Sequence, residues 1–386
     1  MTVGCQAETG VVLQSVGTMT QRAQGFWQWG SLCRIGLYVA ALLCGVALWG
    51  IPALALPQGD AITDPRTLLR RALPISETKL LEVDEAISKI DADLKYNRWS
   101  AVRGDVRQVE HLLDRHGDSL LASLPPDRVT PASEQMAALR EQLRVIGQAS
   151  ERKSKGKEEA RAAYDRLVDE LGSLENNWVG AFPYTVPAEY ADKPQLLGRA
   201  EVELNTTAGR MVITLDGYSA PLTAGNFADL VQRGFYDGLT FDRVETFFLA
   251  QAGDPPGPAD GYVDPATGKI RTIPMEIRAK GEVMPRYGQT FDQMGLWDVE
   301  PALPFSAEGT VAMARYPDDP NSASSQFFIF MAEPDLTPAG LNLMDGRYAV
   351  FGYVTEGTEV LRHIKVGDRI LSARLISGQD NLKTGA

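Results

Sequence analysis

The side chains that most readily carry nucleophilic or proton-transfer chemistry are few in this chain and badly placed for it. Its three cysteines, Cys5, Cys33 and Cys44, all lie near the N-terminus. Its three histidines are His111, His116 and His363, so the stretch from 117 to 362 contains neither residue type. A thiol nucleophile, a Ser-His-Asp relay and a Cys/His zinc site all require what that stretch lacks. His111 and His116 are five apart and do not share a helical face as ligands. Chemistry in the C-terminal half is therefore expected to run without a side chain that shuttles protons near neutral pH. No metal or cofactor is expected.

Size and charge narrow the classes further. The chain has 386 residues, which at roughly 100–200 residues per domain suggests two or three domains. A chain of this length buries about 70–75% of its unfolded surface and needs no disulfide or metal to hold a core. Fifty acidic residues against 38 basic ones give a net charge of −12, which argues against a nucleic-acid binder. The 44% hydrophobic content fits a folded protein.

Residues 35–56 form one uncharged apolar run, preceded by Arg22 and Arg34 and ending in Ala53-Leu54-Ala55 with Pro52 just before. The small-residue pattern reads as a secretory signal peptide cleaved after Ala55. Some 20 apolar residues also suffice for an uncleaved membrane anchor. Either way the bulk of the chain is expected outside the cytoplasm, because the arginines tend to stay inside.

Residues 56–180 carry a helical period. Leu80, Val83, Ile87, Ile90 and Leu94 form one apolar stripe, with Ser76 placed to cap it. Val102, Val106, Val109 and Leu113 form a second, opened by Ser100 and closed near Gly117. Pro125-Pro126 breaks the chain, and Pro131 is expected to start a helix carrying Met136, Leu139, Leu143 and Ile146. After a polar tip from Glu151 to Glu159, the stripe resumes at Tyr164, Leu167, Val168, Leu171 and Leu174. One apolar face per helix requires the helices to pack on one another, as a bundle core or against a partner. A Pro-rich linker, 181–198, ends this region.

From about 199 to 380 the period becomes two. Val202 and Leu204, then Met211, Ile213 and Leu215, flank a turn at Ala208-Gly209. Pro221 to Arg233 reads as a helix stopped by Gly234, and apolar runs recur at 247–250, 310–314, 326–331 and 348–354. Many short strands with few helices suggest a closed barrel.

Five strings then stand in order: GRMVITLDGYSAPLTAGNFADLVQRGFYDGLTFDRV, FFLAQAGD, GTVAMAR, NSASSQFFIF and MDGRYAVFGYV. In order and spacing they resemble the cyclophilins, over roughly residues 199–375. The resemblance implies an α+β chain, an N-terminal α-helical bundle followed by an eight-stranded antiparallel barrel capped by two helices. The caps would be Pro221–Arg233 and a segment near Thr358–Ile364. The signal segment and helical half resemble the multidomain thylakoid-lumen cyclophilins of cyanobacteria and chloroplasts, a subgroup associated with photosystem II. That places the protein in the thylakoid lumen or a periplasm. Its partners would be Pro-containing polypeptide clients, with membrane photosynthetic proteins among them.

Cyclophilins isomerise X-Pro bonds, and the resemblance assigns residues to that task. Arg243 matches the catalytic arginine and Gln251 the glutamine that bonds the substrate backbone. Phe248 and Leu249 match the floor of the proline pocket, Phe328 its aromatic wall and Met344 an apolar lining residue. Leu343 stands where many members have Trp, Tyr348 where many have His, Arg315 where Asn is usual and Asp242 where His is common. A smaller wall at Leu343 would weaken proline packing by about 1–3 kcal/mol. Activity is therefore expected but reduced, with a binding scaffold of low turnover as the alternative. The long stretch from Pro255 to Leu303 reads as either a surface loop or a lid or docking element for the helical half. The linker's Pro183, Pro187 and Pro194 suggest that the helical half or linker packs near Arg243 and Phe248 and restricts access.

Overall fold

The computed structural model describes residues 62–332 and 342–385. The apolar run 35–56 lies outside the described residues. Among the described residues no helix is long and apolar enough to cross a membrane.

A seven-residue helix, α1 (Pro65–Arg71), comes first. The Asp64 carboxylate accepts from the Thr67 amide at 2.9 Å and caps it, and Pro65 sits in the first turn, where an N–H would be unpaired anyway. Four long helices follow: α2 (Thr78–Lys95), α3 (Trp99–Ala122), α4 (Pro126–Glu151) and α5 (Lys157–Glu175). Every residue of the expected stripes is buried, and together they form one bundle core.

The ends of these helices differ from expectation in four places, one being that α3 begins at Trp99 with Arg98 as its cap, so that Ser100 already lies inside it. The cap of α2 is Glu77 and not Ser76, and it makes no side-chain capping bond. Gly117 does not end α3; it is a packing position, since a Cβ there would lie 3.2 Å from Met136 Sδ of α4. Pro126, not Pro131, takes the first turn of α4, and Pro131 lies inside the helix. The polar tip is a 3₁₀ turn, Lys153–Gly156, in which a Cβ on Gly156 would sit 2.0 Å from the Ala149 carbonyl oxygen.

The segment after α5 lies on the barrel. Phe182 stacks on Tyr218 at 5.9 Å, and the Tyr184 hydroxyl donates to the Tyr218 carbonyl at 3.1 Å. Strand β1 (Gln195–Leu196) pairs with the C-terminal β14 (Leu382–Lys383). Then come β2 (Arg199–Thr206), β3 (Gly209–Asp216), helix α6 (Pro221–Gln232), β4 (Phe241–Glu245) and β5 (Leu249–Ala252). Two small hairpins, β6 (Val263–Asp264) with β7 (Lys269–Ile270) and β8 (Glu276–Ile277) with β9 (Arg286–Tyr287), occupy the long insertion. Strands β10 (Thr310–Met313), β11 (Phe327–Phe330), β12 (Val350–Glu356) and β13 (Ile370–Ser377) complete an eight-stranded antiparallel sheet of order β13-β2-β3-β12-β10-β11-β5-β4. Its two ends meet through a Thr240–Arg369 bridge and the Phe241 amide donating to the Asp368 carbonyl at 2.8 Å. The sheet is thus rolled into the expected barrel, capped by α6 and by Thr358–His363, which is a 3₁₀ helix.

The two-residue period sorts the strands' side chains. Val202, Leu204, Ile213, Ala250, Val311, Phe327 and Phe351 point inward and pack with Phe227 of α6. Leu249, Ala312, Phe328 and Phe330 belong to a second cluster on the outer face. Leu68, Leu69 and Ala72 of the α1 region join that cluster together with Leu303, Phe305 and Tyr353. Arg278 of the insertion donates to the Ala72 carbonyl at 2.6 Å, and Arg199 of β2 donates to the Leu69 carbonyl. On its other side α1 sends Arg70, 5% exposed, between Asp84 of α2 and Glu175 of α5. This helix joins bundle to barrel.

Candidate active site

Strand register assembles the site on the barrel's outer face. Arg243 of β4 lies opposite Gln251 of β5, which lies opposite Phe328 of β11, which lies opposite Ala312 of β10. Directly opposed residues share a face, so a cationic donor, an amide and an aromatic ring form one row across adjacent strands. A bulge between Phe241 and Arg243 allows Phe241 to stay in the core while Arg243 faces out.

A cavity of about 630 Å³ opens over this row. All eight side chains singled out in the sequence line it: Arg243, Phe248, Leu249, Gln251, Phe328, Leu343, Met344 and Tyr348. Phe328 is the buried wall, at 3% exposure. Tyr348 meets it edge-on at 5.3 Å, and Phe305 backs it in parallel at 6.0 Å. Leu343 is 82% exposed and adds little wall; Tyr348 supplies an aromatic surface from the same segment. The Gln251 amide donates to Gln326 Oε1 at 2.9 Å.

Arg243 is exposed and pairs with Glu245 two residues on, its Nε donating to Oε1 at 2.7 Å. Arg315 does something different. Its guanidinium lies 5.0 Å from the centre of the Tyr348 ring and donates to the carbonyls of Arg347 and Tyr316 at 2.9 and 2.8 Å. It therefore braces Tyr348 and the loop behind it. The polar end of the cavity contains Asp260, which accepts from the Tyr316 hydroxyl at 2.5 Å. Close by, burial and the neighbouring Asp242 and Asp260 carboxylates raise the Asp254 carboxyl above its ordinary value.

Sequence reasoning missed Gln326, Tyr316, Ser324 and Asp260 as lining residues. For Gln326 a signal was present: it opens the apolar run 326–331, two residues before Phe328, and lies just before β11. The others sit on loops without a period. The long insertion is not a lid, because from 255 to 303 only Asp260 lines the cavity; its contact with Ala72 supports the docking alternative. The expectation that the helical half or linker closes over Arg243 and Phe248 is not met among the described residues. No residue of 62–198 lines the cavity, since α1 takes the far side of the Phe305 layer.

Residues 201–378 match the family described as cyclophilin type peptidyl-prolyl cis-trans isomerase/CLD. Residues 64–179 match the PsbQ-like domain of CYP38-like peptidyl-prolyl cis-trans isomerases. A Synechocystis protein named as a thylakoid lumen peptidyl-prolyl cis-trans isomerase is 43% identical over 381 residues, covering 97% of this chain and 99% of that one. The chain belongs to the cyclophilin-type peptidyl-prolyl cis-trans isomerases. Among plant members, the chloroplastic CYP38 of Arabidopsis thaliana is 37% identical over 383 residues, covering 91% of this cyclophilin and 85% of the relative. The chloroplastic CYP37 of the same plant is 29% identical over 386 residues, covering 89% and 79%. The reaction of the family is rotation about X-Pro peptide bonds, and it asks for no proton shuttle, in keeping with a barrel whose single histidine, His363, lies outside the cavity.

Proposed function

We propose that this cyclophilin isomerises X-Pro bonds of client polypeptides in the thylakoid lumen, with Arg243 as the donor that lowers the barrier. The observation that carries this reading is the row Arg243–Gln251–Phe328 beneath one open cavity. The uncatalysed barrier is about 18–20 kcal/mol, because the C–N bond has partial double-bond character. As that bond twists, the proline nitrogen becomes pyramidal and accepts a hydrogen bond. A guanidinium aimed at it favours the twisted state over either planar one, and its charge is permanent at working pH. Phe248, Leu249, Phe328, Met344 and Tyr348 hold the ring, Leu343 stands at the margin, and Gln251 bonds the client backbone.

Residues 199–380 form the catalytic module in this reading, and the helical residues 56–180, joined by 181–198, present it to clients. The name of the Synechocystis relative favours the lumen, that of the Arabidopsis relative a chloroplast-type setting, and the PsbQ-like match favours photosystem II proteins as clients. Protein purified from its source should then begin at Leu56.

A second reading is a scaffold that binds Pro-containing segments with little turnover. The Arg243–Glu245 pair and the exposed Leu343 favour it. Refolding of a protein limited by X-Pro isomerisation separates the two. That phase takes tens to hundreds of seconds uncatalysed, and residues 56–386 should shorten it at substoichiometric amounts. An unchanged phase alongside saturable peptide binding would select the scaffold.

A further inference from the structure

The connection between β4 and β5 is the tight turn Glu245–Thr246–Phe247–Phe248, closed by the Phe248 amide donating to the Glu245 carbonyl at 2.9 Å. Its third residue, Phe247, has φ of 61°. A turn with positive φ at that position favours glycine or asparagine, and a bulky side chain there is disfavoured. The ring does not recover the loss inside the protein. It is 72% exposed and joins none of the apolar clusters among the described residues.

Its position, however, is tightly held. Phe248 lines the cavity, packs edge-on against Phe330 at 6.0 Å, and accepts at its carbonyl from the Met331 amide at 2.8 Å. On the other side of the turn, Glu245 holds Arg243. A strained, exposed aromatic, itself outside the cavity lining, is thus fixed immediately before Phe248, which lines the cavity, and two residues after Glu245, which holds Arg243. Strained backbone of this kind collects at ligand-gripping positions. We propose that Phe247 is a specificity residue whose ring packs on a large apolar side chain beside the client's proline. The proposal rests on the reading that the cavity takes an X-Pro segment. It adds a preference for apolar neighbours of the proline, which the lining residues alone do not dictate.

The test uses residues 56–386, wild type and Phe247→Gly, with two peptides that differ only in having Leu or Ala next to the proline. Turnover is read by exchange NMR, affinity by titration, and stability by thermal melting. In the wild type kcat/KM should favour the Leu peptide by about tenfold, through KM and not kcat. In Phe247→Gly that ratio should fall towards one while the melting temperature holds or rises, because glycine suits the turn. Equal use of both peptides by the wild type, an unchanged ratio in the variant, or a lower melting temperature would each overturn the proposal. Binding selectivity that is lost in the variant, without turnover in either protein, would sink the isomerase reading and leave this one standing. Failure of both peptides to bind would remove the cavity reading and this proposal with it.

Discussion

Arg243 shows how a single residue can be both conspicuous and restrained. In the proposed reaction its guanidinium points at a client's proline nitrogen, yet it donates to Glu245 in the described state. An exposed ion pair of this kind is worth about 0.2–1 kcal/mol, and the donor must leave it to act. Glu245→Gln should therefore raise kcat/KM by roughly 1.4- to 5-fold, and added salt should raise the wild type more than the variant. A fall in the variant would mean that Glu245 aims the guanidinium instead of competing for it. The apolar and donor residues were legible because they fall inside ordered strings that resemble one family. Phe247 was read only as a letter of such a string, since neither strain nor exposure is visible without a backbone.

At the scale of elements, the cap on α6 is a buried carboxylate that arrives from another part of the chain. Glu276 of β8 accepts from the Leu222 and Thr223 amides at 3.2 and 2.8 Å and from the Thr223 hydroxyl at 2.8 Å. Burial pushes its carboxyl up to about 7, against the opposing pull of those donors. Because the folded value is above the unfolded one, near 4.5, the folded state binds more protons between them. The contribution of Glu276 to stability is then fully present below about 4.5 and is lost as pH rises through about 7. Glu175, raised by burial to about 8 with Arg70 opposing and Asp84 reinforcing, acts in the same direction. Thermal melts from pH 4.5 to 8 should show this decline, and Glu276→Gln should flatten its lower part, by at most about 3 kcal/mol. A melting temperature that rises steadily across the window would contradict the assignment. The four long helices were legible because each buries one face, and the strands because theirs alternate. Helix α1 was not, because seven residues that put Leu68 and Leu69 on the barrel and Arg70 in the bundle leave no one-sided stripe.

In the whole molecule, α1 couples the two halves behind the cavity without entering it. Leu68, Leu69 and Ala72 pack in the layer with Phe305, which backs Phe328, while the open side of the cavity is lined only by barrel and loop residues. The helical half therefore supports the wall against which a proline would rest and leaves the entrance free among the described residues. That placement could not be read from linker composition, since Pro183, Pro187 and Pro194 mark a break in helical period and say nothing of the surface it lies on. Residues 56–386 should therefore be active as they stand, with Arg243 as the cause. The most direct test is exchange NMR on an X-Pro peptide with residues 56–386, wild type and Arg243→Ala. Cis–trans exchange should be accelerated by the wild type and slowed about 100-fold or more in the variant, whose melting temperature should be unchanged because the side chain is 56% exposed. Equal exchange rates for the two proteins would contradict the account.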